Sequence, residues 1–219
     1  MAKTKIIGQM GLLQLAGLFL LLVIFPLGSW YYLRTGLDYR LQAMQELKDY
    51  GKIPDFTLAN YNDSLVSAER FSDGLVVGYF LTGRHEKQFV EKLVKLHDQF
   101  DERDDIFFLA FATDTSRATK ERLQQFAAVN GLEDEEQNFF LRGTKDEVEH
   151  LAKACGLPFE EKGMSLSDNS LAFFADSLMV RSFYDLAEEE SLKRLVKHIT
   201  LNIPPKKDKE LLFQREVEK

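Results

Sequence analysis

The spacing of hydrophobic positions changes several times along the chain, and each change predicts a structural element. The first run, residues 6–33, is 28 residues long and contains no formal charge. About 20 apolar residues cross the hydrocarbon core of a bilayer, so this run predicts one transmembrane helix. Trp30, Tyr31 and Tyr32 close the run, at the depth where aromatic side chains meet the membrane interface.

The charges that flank this run predict its orientation. Lys3, Lys5 and the terminal amine precede it, whereas Arg34 and Arg40 follow it. This small excess of positive charge before the run predicts that residues 1–5 lie in the cytoplasm. A cleaved signal peptide is the alternative, but its apolar part is normally shorter and is followed by a small-residue cleavage site.

The rest of the chain therefore lies outside the cytoplasm in this interpretation. The N-terminus lacks an Arg- and Ser-rich transit segment, which favours the inner membrane of a bacterium, with the C-terminal domain in the periplasm. Residues 34–52 form a juxtamembrane linker or helix, on which Leu37, Leu41 and Met44 make a weak apolar stripe. That stripe is typical of a spacer or of a surface that packs on a partner.

Residues 53–201 show the pattern of a globular domain built around one strand and the helix after it. Residues 75–81 are a continuous apolar run, which predicts a buried strand that breaks at Thr82 and Gly83. Apolar residues then recur at helical spacing from about Glu86 to Gln99. Further patterns predict strands at 106–111 and 139–141, helices at 114–130, 144–155 and 188–201, and a hairpin of 171–175 with 179–184 turning about Asp176 and Ser177.

The predicted elements alternate between strands and helices before the hairpin and the final helix. This order indicates an α/β sandwich with a mixed sheet. A capping box at Thr144 and Glu147 opens one helix, and Asp114 or Thr115 can cap the helix before it. Residues 202–219 follow as a polar C-terminal tail.

Charge and cysteine content exclude some functions. Residues 35–219 carry 25 basic and 35 acidic side chains, which argues against nucleic-acid binding because phosphate contacts need clustered Lys and Arg. Cys155 is the single cysteine of the chain, so an intramolecular disulfide and a cysteine-pair metal site are both excluded.

Several strings in the globular region resemble the Sco/SenC family, the membrane-anchored, thioredoxin-fold copper chaperones of cytochrome c oxidase. The strings follow in the family's order over roughly residues 53–199: IPDFTL (53–58), VVGYFLT (76–82), DTSRATKERLQQFA (114–127), LRGTKDEVEHLA (141–152), and DNS with FF (168–174). The resemblance implies a thioredoxin-like, Sco-type three-layer sandwich with a mixed sheet, preceded by one transmembrane helix.

The chain departs from the family at the residues that would carry its chemistry. The resemblance implies a Cys-x3-Cys pair after the core strand and a His before the last hairpin, and these positions hold Arg84, Gln88 and Asn169. Thiolates and imidazole bind copper, whereas Arg is permanently cationic and amide oxygens are weak ligands. We therefore assign no catalytic, cofactor-binding or metal-binding residue and expect neither an enzyme nor a bound cofactor.

Other reactive side chains have simpler interpretations. Cys155 continues the apolar stripe of its helix, which predicts a buried core thiol. His85 is expected in a solvated loop, although it could contact a partner, and Arg84 with Lys87 could hold an anion or form an exposed charged turn. The remaining candidates lack metal-ligand spacing and are expected to be structural: His97, His150, His198, Met164 and Met179.

The acidic runs at 133–136 and 188–190 are expected to be a solvated face and a helix N-terminus.

Two functions from different classes follow from these observations. The first is an inactive Sco-like domain, anchored by one transmembrane helix, that serves as an accessory, assembly or scaffold component of a respiratory oxidase or a related membrane complex. The alternative is a copper metallochaperone or thiol-redox protein with unusual ligands, for instance His85 together with a Met or Cys155.

Overall fold

The structure is a computed structural model that describes residues 11–81, 87–112, 119–155 and 171–203. The chain forms two compact units, Met1–Glu46 and Leu47–Lys219. Each is described by itself.

In the first unit, residues 12–45 form one continuous helical segment. Helix α1 (Leu12–Phe19) runs through one π-helical turn (Leu20–Ile24) into helix α2 (Phe25–Gln45). By length and composition alone, the stretch Gln14–Gln45 could cross a membrane. Residues 34–45, which the sequence assigned to a juxtamembrane linker or helix, are helical and continue α2 without a break.

The second unit is an eight-stranded sheet with helices on both faces. The strands are β1 (Gly51–Lys52), β2 (Thr57–Asn60), β3 (Leu65–Ser67), β4 (Leu75–Leu81), β5 (Ile106–Ala112), β6 (Asn138–Arg142), β7 (Leu171–Asp176) and β8 (Met179–Asp185). The helices are α3 (Lys87–Asp98), α4 (Lys120–Asn130), α5 (Lys145–Ala154) and α6 (Glu189–Asn202), with a short 3-10 turn at Ala68–Phe71.

The strands lie in the order β1-β8-β7-β4-β5-β6-β2-β3. Strands β4, β5 and β6 are parallel, and their neighbours on both sides are antiparallel. All seven residues of β4 are buried, as expected for a central strand covered on both faces. The mixed sheet predicted from the sequence is confirmed.

Two boundary predictions need correction. The sequence placed residues 48–52 in the linker, but Lys48 N–H and Tyr50 N–H donate to carbonyls of β8, and β1 pairs with the same strand. The hairpin turns at Ser177 and Leu178, not at Asp176 and Ser177. Both turn residues have a positive φ, 49° and 65°, as in the two-residue turns that match the twist of a hairpin.

The structure describes the N-termini of two helices whose caps were predicted, α4 and α5. The capping box of α5 is confirmed, since Thr144 N–H donates to Glu147 Oε2 at 2.8 Å and the Thr144 hydroxyl oxygen accepts from Glu147 N–H. Helix α4 begins later than predicted, with Thr119 as its N-cap. Asp114 and Thr115 lie outside the described residues.

Gly78 in β4 leaves space for an aromatic ring of the neighbouring strand. It pairs with Phe173 of the neighbouring strand β7, and a Cβ atom built on Gly78 would lie 2.1 Å from Cζ of that ring. Any larger residue at this position would collide with a ring that is fully buried. Phe173 also stacks on Phe111, with ring centroids 6.3 Å apart. The Phe173 ring therefore cannot shift without disturbing the packing of Phe111.

His97 of α3 is a buried imidazole in the opposite face of the core. Its side chain is 3% exposed, and its ring centroid lies 3.8 Å from that of Phe108. Burial lowers the pKa of His97 from 6.5 to about 3, against a smaller opposing contribution from Asn138. The core therefore holds His97 in its neutral form.

We expect the stability of the domain to fall in mild acid because of His97. The unfolded chain binds a proton as the pH falls through 6.5, whereas the folded domain binds it only near pH 3. The free energy of unfolding should therefore decrease between these values by up to about 1.4 kcal/mol per pH unit. Chemical unfolding of the full-length protein in detergent, followed by circular dichroism, measures this slope.

The matched variants separate His97 from the other titrating groups. His97→Phe should flatten the slope in this window, whereas His150→Gln, on an exposed position of α5, should leave it unchanged. An unchanged slope in His97→Phe would contradict the prediction.

Candidate functional site

The carboxyl ends of the parallel strands meet at one edge of the sheet. Leu81 pairs with Ala112, and Ala112 pairs with Arg142, so the ends of β4, β5 and β6 lie in one row. Strand β7 begins at Leu171 and runs antiparallel to β4, which places its start at the same edge. This edge is where open α/β sheets bind ligands.

The three positions implied by the resemblance are only partly described. Gln88 lies in the first turn of α3 and is exposed. Arg84 and Asn169 lie outside the described residues. The described strand ends nearest to them in sequence, Leu81 and Leu171, belong to neighbouring strands and reach the same edge. The grouping of the three side chains stays a prediction.

An ion cluster at this edge was not visible in the sequence. Asp63, in the turn between β2 and β3, accepts hydrogen bonds from Lys120 of α4 and Arg142 of β6. Lys120, followed by Arg142, lowers the pKa of the Asp63 carboxyl. Sequence separations of 57 and 79 residues hide this contact, and only the sheet order brings β2 beside β6. The cluster ties a turn to two elements of the candidate edge.

Cys155 is a core thiol, as predicted. It caps the C-terminus of α5 and packs in the cluster that contains Val148 and Leu151. Its side chain is 0% exposed, and burial raises the pKa of the thiol from 9.0 to about 12. A thiol that is neutral and enclosed at neutral pH cannot serve as a ready nucleophile or metal ligand.

We expect Cys155 to resist thiol reagents in the folded protein. At pH 8 the native full-length chain should give almost no reaction with an aromatic disulfide reagent, whereas the unfolded chain should react at once. Lys153→Cys places a thiol on an exposed position of the same helix and serves as the fast-reacting control. If native Cys155 reacted as fast as that control, the core placement would be wrong.

The described histidines and methionines do not converge. His97 and His198 lie buried on different helices, and the Tyr184 hydroxyl is 2.5 Å from His198 Nδ1. His150 is exposed on α5, and Met179 is half-buried in β8. His85 and Met164 are outside the described part of the chain.

Copper is the cargo that the resemblance implies, and the donors in the described residues do not fit it. Within the described ranges, no group of three His, Cys, Asp or Glu side chains is placed to hold a metal ion. The thiol and two of the imidazoles are buried on three different helices, so they do not form one copper site.

One of the acidic runs has a structural contact that the sequence did not suggest. Glu135 accepts hydrogen bonds from the Tyr61 hydroxyl at 3.1 Å and from Asn62 Nδ2 at 3.0 Å. Burial, together with Glu135, raises the pKa of Tyr61 to about 12. The second run is at a helix N-terminus as predicted, with Glu189 and Glu190 in the first turn of α6.

A cleft of about 430 Å³ lies at the other edge of the sheet. Asp101, Glu102 and Asp104 precede β5, and Asp134 and Glu136 precede β6, so the cleft is at the amino ends of these strands. It is therefore separate from the candidate edge.

Comparisons with known proteins agree with this geometry. No protein-family model matches the sequence, and no curated protein matches it significantly. Solved structures do match. The soluble domain of Sco1 from Bacillus subtilis is 18% identical, covers 71% of this chain and 93% of its own, and superposes with a TM-score of 0.55.

Two further structures give the same result. A SCO1/SenC family lipoprotein from Bacillus anthracis is 15% identical, with coverage of 68% of this chain and 93% of its own and a TM-score of 0.56. Arabidopsis thaliana ScoI with copper bound is 16% identical, with coverage of 68% and 99% and a TM-score of 0.51. The globular unit of this chain therefore has the thioredoxin-like fold of the Sco/SenC structures, as its sequence predicted.

Proposed function

We propose that the chain is a membrane-anchored Sco-like protein that has lost copper and thiol chemistry and acts as an accessory or assembly component of a respiratory oxidase or a related membrane complex. One helix anchors it in the membrane, and the globular domain lies on the periplasmic side of a bacterial inner membrane. In this proposal the globular domain provides a surface for binding other subunits and catalyses no reaction.

The observation that carries the proposal is the position of the only thiol. Cys155 lies in the core on α5, whereas residues 82–88, between the core strand and the start of α3, contain no cysteine. A Sco-type domain without a thiol at that position has no donor for soft copper and no partner for disulfide exchange. The buried core residues that maintain the fold are separate from the positions at which thiols would react, so the fold can persist without them.

The link to respiration rests on similarity. One of the similar solved structures, 19% identical over 71% of this chain with a TM-score of 0.54, is described as a member of the Sco family of cytochrome c oxidase assembly proteins. Fold alone does not determine function, so the proposal needs a direct test of partners.

Extraction of native membranes in mild detergent tests it. The full-length chain should co-migrate with haem-containing subunits and should hold copper only at background level by elemental analysis. A chain that migrates only as a monomer would refute the accessory role. Copper near one equivalent per chain, which we do not expect from these donors, would instead support the metallochaperone alternative.

A further inference from the structure

The membrane helix contains a backbone carbonyl group that its own helix cannot satisfy. In the π turn, Phe25 N–H donates to the carbonyl of Leu20, five residues back. The next donor would be residue 26, which is a proline and has no N–H. At least one carbonyl in the preceding turn, that of Leu21 or Leu22, therefore lacks a backbone donor.

The side chains around this carbonyl cannot replace the missing donor. Residues 15–28 are apolar or glycine and contain no side-chain N–H or O–H group. The hydrocarbon core of a bilayer contains no water to donate a hydrogen bond, and lipid tails have no donor group, so an unpaired carbonyl is costly. A second copy inserted in the same orientation would bring the same donor-free stretch to this depth.

The side of the helix that bears Pro26 continues beyond the membrane as a line of three apolar residues, with Arg40 about 40° to one side of it. At 100° per residue, Leu33, Leu37 and Met44 lie within about 20° of Pro26 around the axis of α2. Leu37 and Met44 lie about 6 and 17 Å beyond Leu33 along the axis, past the predicted end of the span. Their side chains are 56% and 41% exposed. We call the side formed by Pro26, Leu33, Leu37 and Met44 the Pro26 face.

We propose that the Pro26 face docks lengthwise on a helix of a different integral membrane protein, and that a polar side chain of that helix donates a hydrogen bond to the carbonyl freed by Pro26. Beyond the bilayer, apolar side chains of the partner helix cover Leu37 and Met44. Interhelical hydrogen bonds from Ser, Thr, Asn or Gln are a normal feature of packed transmembrane helices. This inference rests on the proposed membrane anchorage and adds the contact surface and the chemistry of the partner.

Site-directed cross-linking in native membranes tests the docking. The chain has one cysteine, which is buried, so single introduced cysteines report on their own positions. Leu37→Cys and Met44→Cys lie on the Pro26 face, and Thr35→Cys and Gln42→Cys are their controls at almost the same depth on the opposite side. Each full-length variant is labelled with a photoactivatable maleimide, irradiated in membranes and analysed by mass spectrometry.

The expected result is an adduct with one integral membrane protein from the two face positions and little from their controls. Adding Pro26→Ala, which restores the N–H and favours the helix, should lower the adduct yield by about threefold to tenfold, as expected for one interhelical hydrogen bond. Equal yields on both sides, an adduct between two copies of this chain, or no effect of Pro26→Ala would overturn the inference.

The identity of the adduct distinguishes this inference from the proposed function. A face-specific, Pro26-dependent adduct with a protein unrelated to haem-containing complexes would support the docking surface and refute the respiratory assignment. Co-migration with haem subunits without a face-specific adduct would refute the docking surface and support the assignment.

Discussion

A chain that carries Arg84→Cys, Gln88→Cys and Asn169→His together is expected to bind about one copper ion, whereas the wild-type chain holds only background metal. The three positions are those at which the Sco/SenC resemblance implies two thiolates and an imidazole. The described ends of β4 and β7, Leu81 and Leu171, lead to one edge of the sheet, and Gln88 lies in the first turn of α3.

Elemental analysis and copper titration of the purified full-length variant measure this gain. The matched control replaces both cysteines by serine, as Arg84→Ser, Gln88→Ser and Asn169→His, which removes the same side chains without adding thiolates. Circular dichroism checks that both variants remain folded. If the Cys-Cys-His variant is folded and gains no copper, the three positions do not form one site.

Replacing Gly78 by Ala is expected to destabilise the globular domain by more than about 3 kcal/mol, at the upper end of the effects of overpacking. The added Cβ would lie 2.1–2.8 Å from three carbons of the Phe173 ring. Both residues are on central strands and face buried neighbours, so neither the ring nor the backbone can move away cheaply.

Chemical unfolding measures the loss, and a second substitution tests its cause. Phe173→Leu alone should cost stability because it leaves a cavity in the core. In the Gly78→Ala background the same change should restore part of the stability, because the smaller side chain leaves room for the Cβ. Additive losses in the double variant would show that the clash with Phe173 is not the cause.

Local sequence patterns were enough to predict several elements of the fold. The apolar run of β4, the capping box at Thr144 and the amphipathic spacing of α3 depend on neighbours within a few residues, and the structure places them almost as predicted. The burial of Cys155 follows from the same helical period.

The position of the hairpin turn was harder to predict from the sequence. The hairpin turn moved by one residue to Ser177 and Leu178, because a buried, positive-φ leucine carries no sequence signal for a turn. The candidate site was predicted as three substituted positions, and the described residues include one of them, Gln88, at the start of α3.

By itself, the sequence determined the apolar helix, the order of strands and helices from β4 onwards, and the absence of a second thiol, since these depend on composition and on short periods. Only the tertiary structure decided that Asp63 joins Lys120 and Arg142, that Gly78 lies under Phe173, and that His97 is enclosed as a neutral ring. The physical reason is that each of these contacts joins residues distant in the chain, so it depends on which strands and helices become neighbours and not on any local pattern.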